Sequence, residues 1–328
     1  MTTKCSASFG LASSLLLVLT ALAPVSAQVI EAPYSSSYSY ISLNTPSGVP
    51  GSFGGLTLKA GDANTLLIGG SANNSGGGIY SIGLTRGLDN HITGFSGTAS
   101  LFSTAPNIDG GLVYAPNGDL LYTAFPSNQI GEIKPGSASP DKIISVPDVF
   151  SSVGSLQFIP AGFVGAGHLA IASYSGGGYY TSSLIPDGSG TYDLAPQVLQ
   201  ANLGHGPEGI TFVPAGNAQF AVNSILVSEY GGGNVATYTL DSLGNPIESS
   251  RQVFISGLSG AEGAFTDPLT GDFLFSTFGN SNQVIEVRGF LPVPEVSVSV
   301  SLGLLLTLGF GGLCLTGRRG RTKSSHLS

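Results

Sequence analysis

One motif recurs five times along the middle of the chain, and no other feature restricts the fold as much. Each copy opens with a small residue and a short apolar strand: Gly55-Leu56-Thr57-Leu58, Gly111-Leu112-Val113-Tyr114, Ser155-Leu156-Gln157-Phe158, Gly209-Ile210-Thr211-Phe212 and Gly263-Ala264-Phe265-Thr266. The starts lie 56, 44, 54 and 54 residues apart. Turn residues follow each one, as in Ala115-Pro116-Asn117-Gly118 and Pro214-Ala215-Gly216-Asn217, where Pro fixes φ and Asn or Gly accepts the reversed backbone. A second strand, a loop rich in Gly, Ser or Asn and a third strand come next. Leu120-Leu121-Tyr122-Thr123, Ser127-Asn128-Gln129 and Ile130-Gly131-Glu132-Ile133 show that order in one unit. A fourth strand is legible in Lys142-Ile143-Ile144-Ser145-Val146 and in Gln252-Val253-Phe254-Ile255-Ser256. No long stretch carries the apolar period of a helix.

Short antiparallel strands repeated at this spacing predict an all-β chain folded as a β-propeller of five four-stranded blades. A β-solenoid would have shorter, more regular repeats. The fifth unit, from Gly260 to Phe290, shows only three strands. Tyr38-Ser39-Tyr40-Ile41-Ser42-Leu43 alternates and precedes the first inner strand, so it is expected to supply the missing outer strand and close the ring. A sixth blade would have to lie within 83–108.

The propeller is assigned to residues 28–290, which hold six Lys and Arg against 18 Asp and Glu, a net charge of −12. Such a surface disfavours nucleic acid as a partner. The two cysteines, Cys5 and Cys314, lie outside this body. Its stability therefore rests on its core alone.

The ends read differently. Residues 1–27 carry Lys4, an apolar run and Val25-Ser26-Ala27, the pattern of a signal peptide cleaved after Ala27. Its partners would be the Sec export machinery and signal peptidase. Residues 291–328 contain an uncharged segment, 296–316, followed by Arg318, Arg319, Arg321 and Lys323. Its length suits a transmembrane helix, and the basic stop suits a cytoplasmic end. With Val293-Pro294-Glu295 ahead of it, this tail resembles the PEP-CTERM sorting signal, apart from Val296 where that pattern has Pro. The resemblance implies an exosortase as partner and a bacterium that makes exopolysaccharide. It also implies delivery to the cell envelope or outside, with a membrane anchor if the tail is not processed.

Superposing the units puts Glu208 and Glu262 at one position, just before an inner strand, where the others carry Gly54, Gly110 and Gly154. Asp109 and His205 are nearby in sequence. Pro207-Glu208-Gly209 and Ala261-Glu262-Gly263 resemble the inner-strand starts of NHL and gluconolactonase-type propellers. In gluconolactonase-like propellers a Glu so placed joins Asn and Asp around a divalent metal, usually calcium. The resemblance implies Glu208, Glu262 and Asp109 as a candidate metal set, with carboxylate as a suitably hard donor. It leaves the other ligands unassigned. The competing reading makes both glutamates repeat-consensus residues bonded to neighbouring strand amides, with no cofactor, and this is the expectation preferred from sequence.

The other polar candidates carry less. His91 falls in a loop and His168 opens a strand at the surface. No HExxH, CxxC, Walker or GxSxG pattern is present. Asn117-Gly118-Asp119 and Asp187-Gly188-Ser189-Gly190 read as tight turns without the ligand spacing of an EF-hand. Two functions follow. The first is an exported, non-catalytic binding or structural module that meets a polysaccharide or a protein. The alternative is a calcium-dependent lactonase or esterase that uses the axial carboxylates. They separate on whether Glu208 and Glu262 converge within coordination distance, together with a further oxygen ligand.

Overall fold

The computed structural model describes Met1, residues 28–279 and residues 282–292. Two short strands come first, β1 (Val29–Ile30) and β2 (Ser39–Asn44). Blade 1 comprises β3 (Leu56–Lys59), β4 (Asp62–Gly70), β5 (Gly78–Arg86) and β6 (Ile92–Thr104), and blade 2 comprises β7 (Ile108–Tyr114), β8 (Leu120–Ala124), β9 (Gln129–Ile133) and β10 (Lys142–Ser145). Blade 3 starts with β11 (Val153–Phe158), β12 (Leu169–Ser173) and β13 (Gly178–Ser182). A separate hairpin, β14 (Leu184–Pro186) and β15 (Tyr192–Leu194), precedes its outer strand β16 (Val198–Asn202). Blade 4 is β17 (Pro207–Val213), β18 (Ser224–Glu229), β19 (Asn234–Thr239) and β20 (Gln252–Ser256). Blade 5 is β21 (Ala261–Thr266), β22 (Phe273–Thr277) and β23 (Val284–Arg288), completed by β2.

The second strand of each blade explains why the chain stacks in a ring. These strands are short apolar runs buried on both faces, and alternate side chains enter different cores. In β8, Leu121 packs toward blade 3 while Leu120 and Tyr122 pack toward blade 1. In β18, Ile225 and Val227 face blade 3 and Leu226 faces blade 5. In β22, Phe273 and Phe275 face blade 4 and Leu274 faces blade 1. Five hydrophobic clusters result, one in each interface between neighbouring blades. An all-β, five-bladed propeller is the architecture.

The ring closes as the alternating Tyr38–Leu43 stretch predicts. β2 pairs antiparallel with β23, with Tyr40 opposite Val287 and Ile41 opposite Glu286. β1 adds a further contact that the sequence did not reveal, with Ile30 opposite Ile255 on the outer edge of blade 4. At the centre, hydroxyls bridge successive inner strands. Thr123 accepts from Gly111 N at 2.8 Å and donates to Gly154 O at 3.0 Å. Ser276 accepts from Gly263 N at 3.0 Å and donates to Gly54 O at 2.6 Å, which joins the last blade to the first.

The expected C-terminal transmembrane helix is corrected. Among the described residues no helix is long and apolar enough to cross a membrane. The only helical turns there are three residues each, Tyr34–Ser36 and Glu248–Ser250, against the roughly 20 residues a span requires. Segment 296–316 itself lies outside the described residues, as do Ala27, Val293, Pro294, Glu295, Arg318, Arg319 and Arg321. The membrane as a partner and a localisation built on that anchor, with the export and sorting scheme attached to it, are accordingly not carried further.

Candidate functional site

A β-bulge opens the inner strands, and it decides where their polar side chains point. Pairing between β17 and β18 shifts register between Pro207 and Gly209, and pairing between β21 and β22 shifts between Ala261 and Ala264. Glu208 and Glu262 are the residues at these irregularities. A bulge re-aims its extra residue away from the ladder, here toward the propeller axis. Blade 2 has a wider irregularity, between Ile108 and Leu112, and it contains Asp109, Gly110 and Gly111. Gly110 aligns with the two glutamates, so Asp109 enters the same space from one residue earlier. Gly110 itself is required by proximity: a Cβ there would sit 1.9 Å from Glu208 O.

The three carboxylates converge. Asp109, Glu208 and Glu262 each offer an oxygen, and these oxygens lie within 4.8 Å of one another. They are 0%, 4% and 1% exposed, so water does not screen them freely. No hydrogen bond of good geometry reaches Asp109 Oδ1 or Oδ2, Glu208 Oε2 or Glu262 Oε1, although the Asn73 side chain, the Gly110 amide and the carboxyls themselves lie against Asp109. That differs from the expectation that strand amides hold the glutamates. A fifth buried oxygen without a partner, Asn73 Oδ1, belongs to the same cavity. Asn73 sits at φ +61° in the loop after β4, held by its N–H donating to Ile108 O at 2.9 Å.

Burial is the main cause of the electrostatic state of this cluster. It pushes Glu208 well above the usual carboxyl range, and the negative charges of Asp109 and Glu262 raise it further. Glu262 is raised by burial and then by Asp109. Asp109 is pushed up to about 7 by burial, opposed by the polar groups against it, Glu262, Asn73, Glu208 and the Gly110 amide. Three carboxyls at this separation cannot all ionise without a counter-cation.

Above the carboxylates stands a collar of aromatic side chains. The cavity, about 290 Å³, is lined by Asn73, Phe125, Tyr174, Glu208, Tyr230, Glu262 and Phe278. Each ring occupies the position immediately after the second strand of blades 2, 3, 4 and 5. Blade 1 has Ser71 there, and its loop contributes Asn73. Neighbouring rings meet nearly edge to face: Phe125–Tyr174 at 6.1 Å and 89°, Tyr174–Tyr230 at 5.8 Å and 81°, and Tyr230–Phe278 at 5.9 Å and 72°. Burial raises both tyrosine hydroxyls, with the charges of Glu208 and Glu262 adding to the effect.

The remaining candidates lie elsewhere. His205 is exposed at φ +56° and does not line the cavity. His168 is exposed on the wall of a larger hollow, about 400 Å³, formed with blade 4 residues such as Leu243 and Asn245. That hollow is bigger than the axial cavity but has no carboxylate among its lining residues. His91 joins a second cluster with Asp272 and Glu286. There His91 Nδ1 meets Asp272, while Glu286 accepts from Ile92 N at 2.9 Å and from Arg288 Nε at 2.8 Å. Asp272 Oδ1 is left without a partner there, as at the axis, while the ion pair between Arg288 and Glu286 and the contact between His91 and Asp272 clasp the loop before β6 onto blade 5. Asp187 caps its own turn by accepting from Ser189 N at 2.8 Å and pairs with Lys142 at 2.8 Å, while Asn117 Oδ1 accepts from Asp119 N at 3.0 Å. Both acidic motifs are turns, as their spacing predicts.

The sequence singled out Glu208 and Glu262 and placed Asp109 beside them, but it missed Asn73 and the collar. The signal for the collar was available: an aromatic follows the second strand in four of the five units.

No family description and no curated protein matches the sequence. Solved structures are similar at low identity. An auxiliary nutrient binding protein from Bacteroides thetaiotaomicron is 10% identical, matched over 76% of this chain and 76% of its own, with a TM-score of 0.45. The PQQ domain of pyranose dehydrogenase from Coprinopsis cinerea is 8% identical, over 80% of this chain and 97% of that one, also at 0.45. A second Bacteroides thetaiotaomicron structure, carrying a phosphatase name, is 10% identical with a TM-score of 0.41. The match takes in 72% of this chain and 60% of that one, so the chain spans less than two thirds of its length.

Proposed function

We propose that the axial cavity holds a divalent cation, calcium by the hardness of its donors, and that the protein is a cation-dependent hydrolase of small esters or lactones. The observation that carries this reading is the set of buried oxygens without partners: Asp109 Oδ1 and Oδ2, Glu208 Oε2, Glu262 Oε1 and Asn73 Oδ1. Orphaned buried acceptors are costly, and three of these side chains are carboxylates with no Lys or Arg among the residues lining the cavity. A hard cation satisfies them together. Asp109, Glu208, Glu262 and Asn73 would hold it.

When bound, the cation supplies Lewis acidity toward a carbonyl oxygen. The chain's residues do the rest. The rings of Phe125, Tyr174, Tyr230 and Phe278 narrow the mouth and limit water around the reacting group. No His, Lys or Cys lines the cavity among the described residues, so a carboxylate is the base available there, with the oxygen of Glu208 or Glu262 that the cation leaves free taking a proton from the attacking water. Asn73 orients a polar substrate group from the side of blade 1.

Calorimetric titration of calcium into the metal-stripped protein tests the reading. One-site binding is expected, weakened at least tenfold by each of Asp109→Asn, Glu208→Gln and Glu262→Gln. Hydrolysis of p-nitrophenyl acetate and δ-valerolactone should stop with a chelator and return with calcium. A flat isotherm with the wild-type protein would sink the metal site. Binding without turnover on such substrates would leave a calcium-dependent binding module.

A further inference from the structure

We infer that the axial cavity selects ligands that carry a positive charge, with a small organic ammonium held inside the aromatic collar above the metal. The inference rests on the metal-dependent reading and names the substrate class for the same site.

Charge comes first. Glu208 and Glu262 line the floor, with Asp109 buried against them. Three acidic side chains face the two charges of a divalent cation, a formal acidic excess of one. Neither Lys nor Arg lines the cavity to cancel it, and the whole chain is net negative at −8. A phosphate or carboxylate ligand would add repulsion to this excess, and a neutral one would leave it uncompensated. A monocation balances it.

The walls agree with the charge. Four rings from successive blades stand 5.8–6.1 Å apart between neighbours, at interplanar angles of 72–89°. A regular five-fold ring with neighbours at this spacing would have a radius of about 5 Å. That is inside the roughly 6 Å reach of the attraction between a cation and an aromatic ring. Phe125 and Phe278 offer no polar atom, so half of the collar recognises its ligand by π-electron density and contact alone. Such a wall suits an alkylated ammonium better than a strongly hydrated polyol. The open position at blade 1, where Ser71 replaces an aromatic, leaves a side on which the rest of an ester or lactone can lie beside Asn73.

The test pairs choline with its uncharged isostere 3,3-dimethylbutan-1-ol, titrated into the calcium-loaded, full-length protein. The chain has no Trp but 12 Tyr, so alongside calorimetry the part of the tyrosine fluorescence change that is lost in Tyr174→Phe with Tyr230→Phe is assigned to the collar. Choline should bind at least tenfold tighter than the isostere. Tyr174→Leu with Tyr230→Leu should erase that preference, and Tyr174→Phe with Tyr230→Phe should keep it, because the rings and not the hydroxyls read the charge. A calcium isotherm on each variant checks that the floor is intact. Equal affinities, or no binding of either probe, would overturn the inference whether or not calcium binds. So would a preference that survives the leucine pair, or choline that binds only after calcium is stripped. Choline selectivity in a protein that gives no calcium isotherm would overturn the metal reading alone.

Discussion

At the scale of single residues, the chain buries acids in pairs as well as at the axis. Glu132 and Asp119 sit within blade 2, both essentially unexposed, and Glu132 Oε2 accepts from Tyr192 N at 3.0 Å. Glu132 is raised from 4.5 to about 7, first by burial and then by Asp119, against the opposing pull of the Tyr192 amide and Lys142. Glu286, beside Asp272 in blade 5, is also pushed up to about 7, burial again leading. A carboxyl raised on folding takes up a proton that the unfolded chain releases between about pH 4.5 and 7. Its stabilisation is complete below the unfolded value and is lost as pH rises through the folded one. The urea midpoint should therefore fall between pH 5 and pH 8, with the metal-free axial carboxyls acting in the same direction. Glu132→Gln keeps an acceptor for Tyr192 N and offers an amide donor to Asp119. It should stabilise the protein by about 1–3 kcal/mol at pH 8 and change little at pH 5. Equal effects at both pH values would remove Glu132 from the explanation. Gly110→Ala makes a harsher demand, because its Cβ would overlap Glu208 O. A loss of about 3 kcal/mol or more is expected in the same assay. At this scale the sequence could align Glu208 with Glu262, since both follow a small residue or Pro and precede Gly. It could not place Asp109 firmly, because one extra bulge residue breaks the alignment. Asn73 was hidden for a different reason: the same loops of blades 2 and 5 also carry a left-handed Asn, Asn128 and Asn282, and neither lines the cavity, so the residue type alone does not mark Asn73.

At the scale of elements, the N-terminal stretch does more than close one blade. β2 completes blade 5, and β1 extends blade 4 across the interface. Between them Tyr34 and Tyr38 insert among Phe220, Phe254 and Phe290, with Tyr38 and Phe290 at 4.5 Å and Tyr34 and Phe254 at 5.0 Å. Tyr38 also donates its hydroxyl to Ala218 O at 2.6 Å. Tyr38→Ala should cost about 3–5 kcal/mol by opening this cluster. Deleting residues 28–44 should lower the urea midpoint further, since it also bares the edges of two blades. A deletion no worse than the point substitution would show that strand pairing adds little. β2 was legible because six residues alternate and the fifth unit lacked a partner. β1 was not, because a two-residue strand has no period to read. The β14–β15 hairpin was missed as well; its three-residue strands lie in a stretch where Asp187-Gly188-Ser189-Gly190 reads only as a turn.

At the scale of the whole molecule, the ring and the axial site depend on each other. Each blade contributes one face to two of the five cores, so no blade is stable on its own terms, and the inner strands converge where buried oxygens lack partners. The proposed cation ligands come from blade 2 (Asp109), blade 4 (Glu208), blade 5 (Glu262) and the blade 1 loop (Asn73). A cation held by all of them ties the first and last blades together across the opening, opposite the closing strand at the rim. Its effect should therefore be global. Calcium at about a hundred times its dissociation constant should raise the unfolding free energy by about 2.7 kcal/mol. The entire transition should move as one step, with no separate melting of a blade. The measurement is a set of urea unfolding curves followed by far-UV circular dichroism and by tyrosine fluorescence, with calcium and with chelator. Both probes should shift together in the wild-type protein, and the shift at the same calcium concentration should fall to about half or less in Glu262→Gln. If the tyrosine fluorescence moved while the far-UV signal did not, the cation would order only part of the structure without supporting the ring. A site confined to one blade would behave in that way. Ligands drawn from four blades predict the opposite.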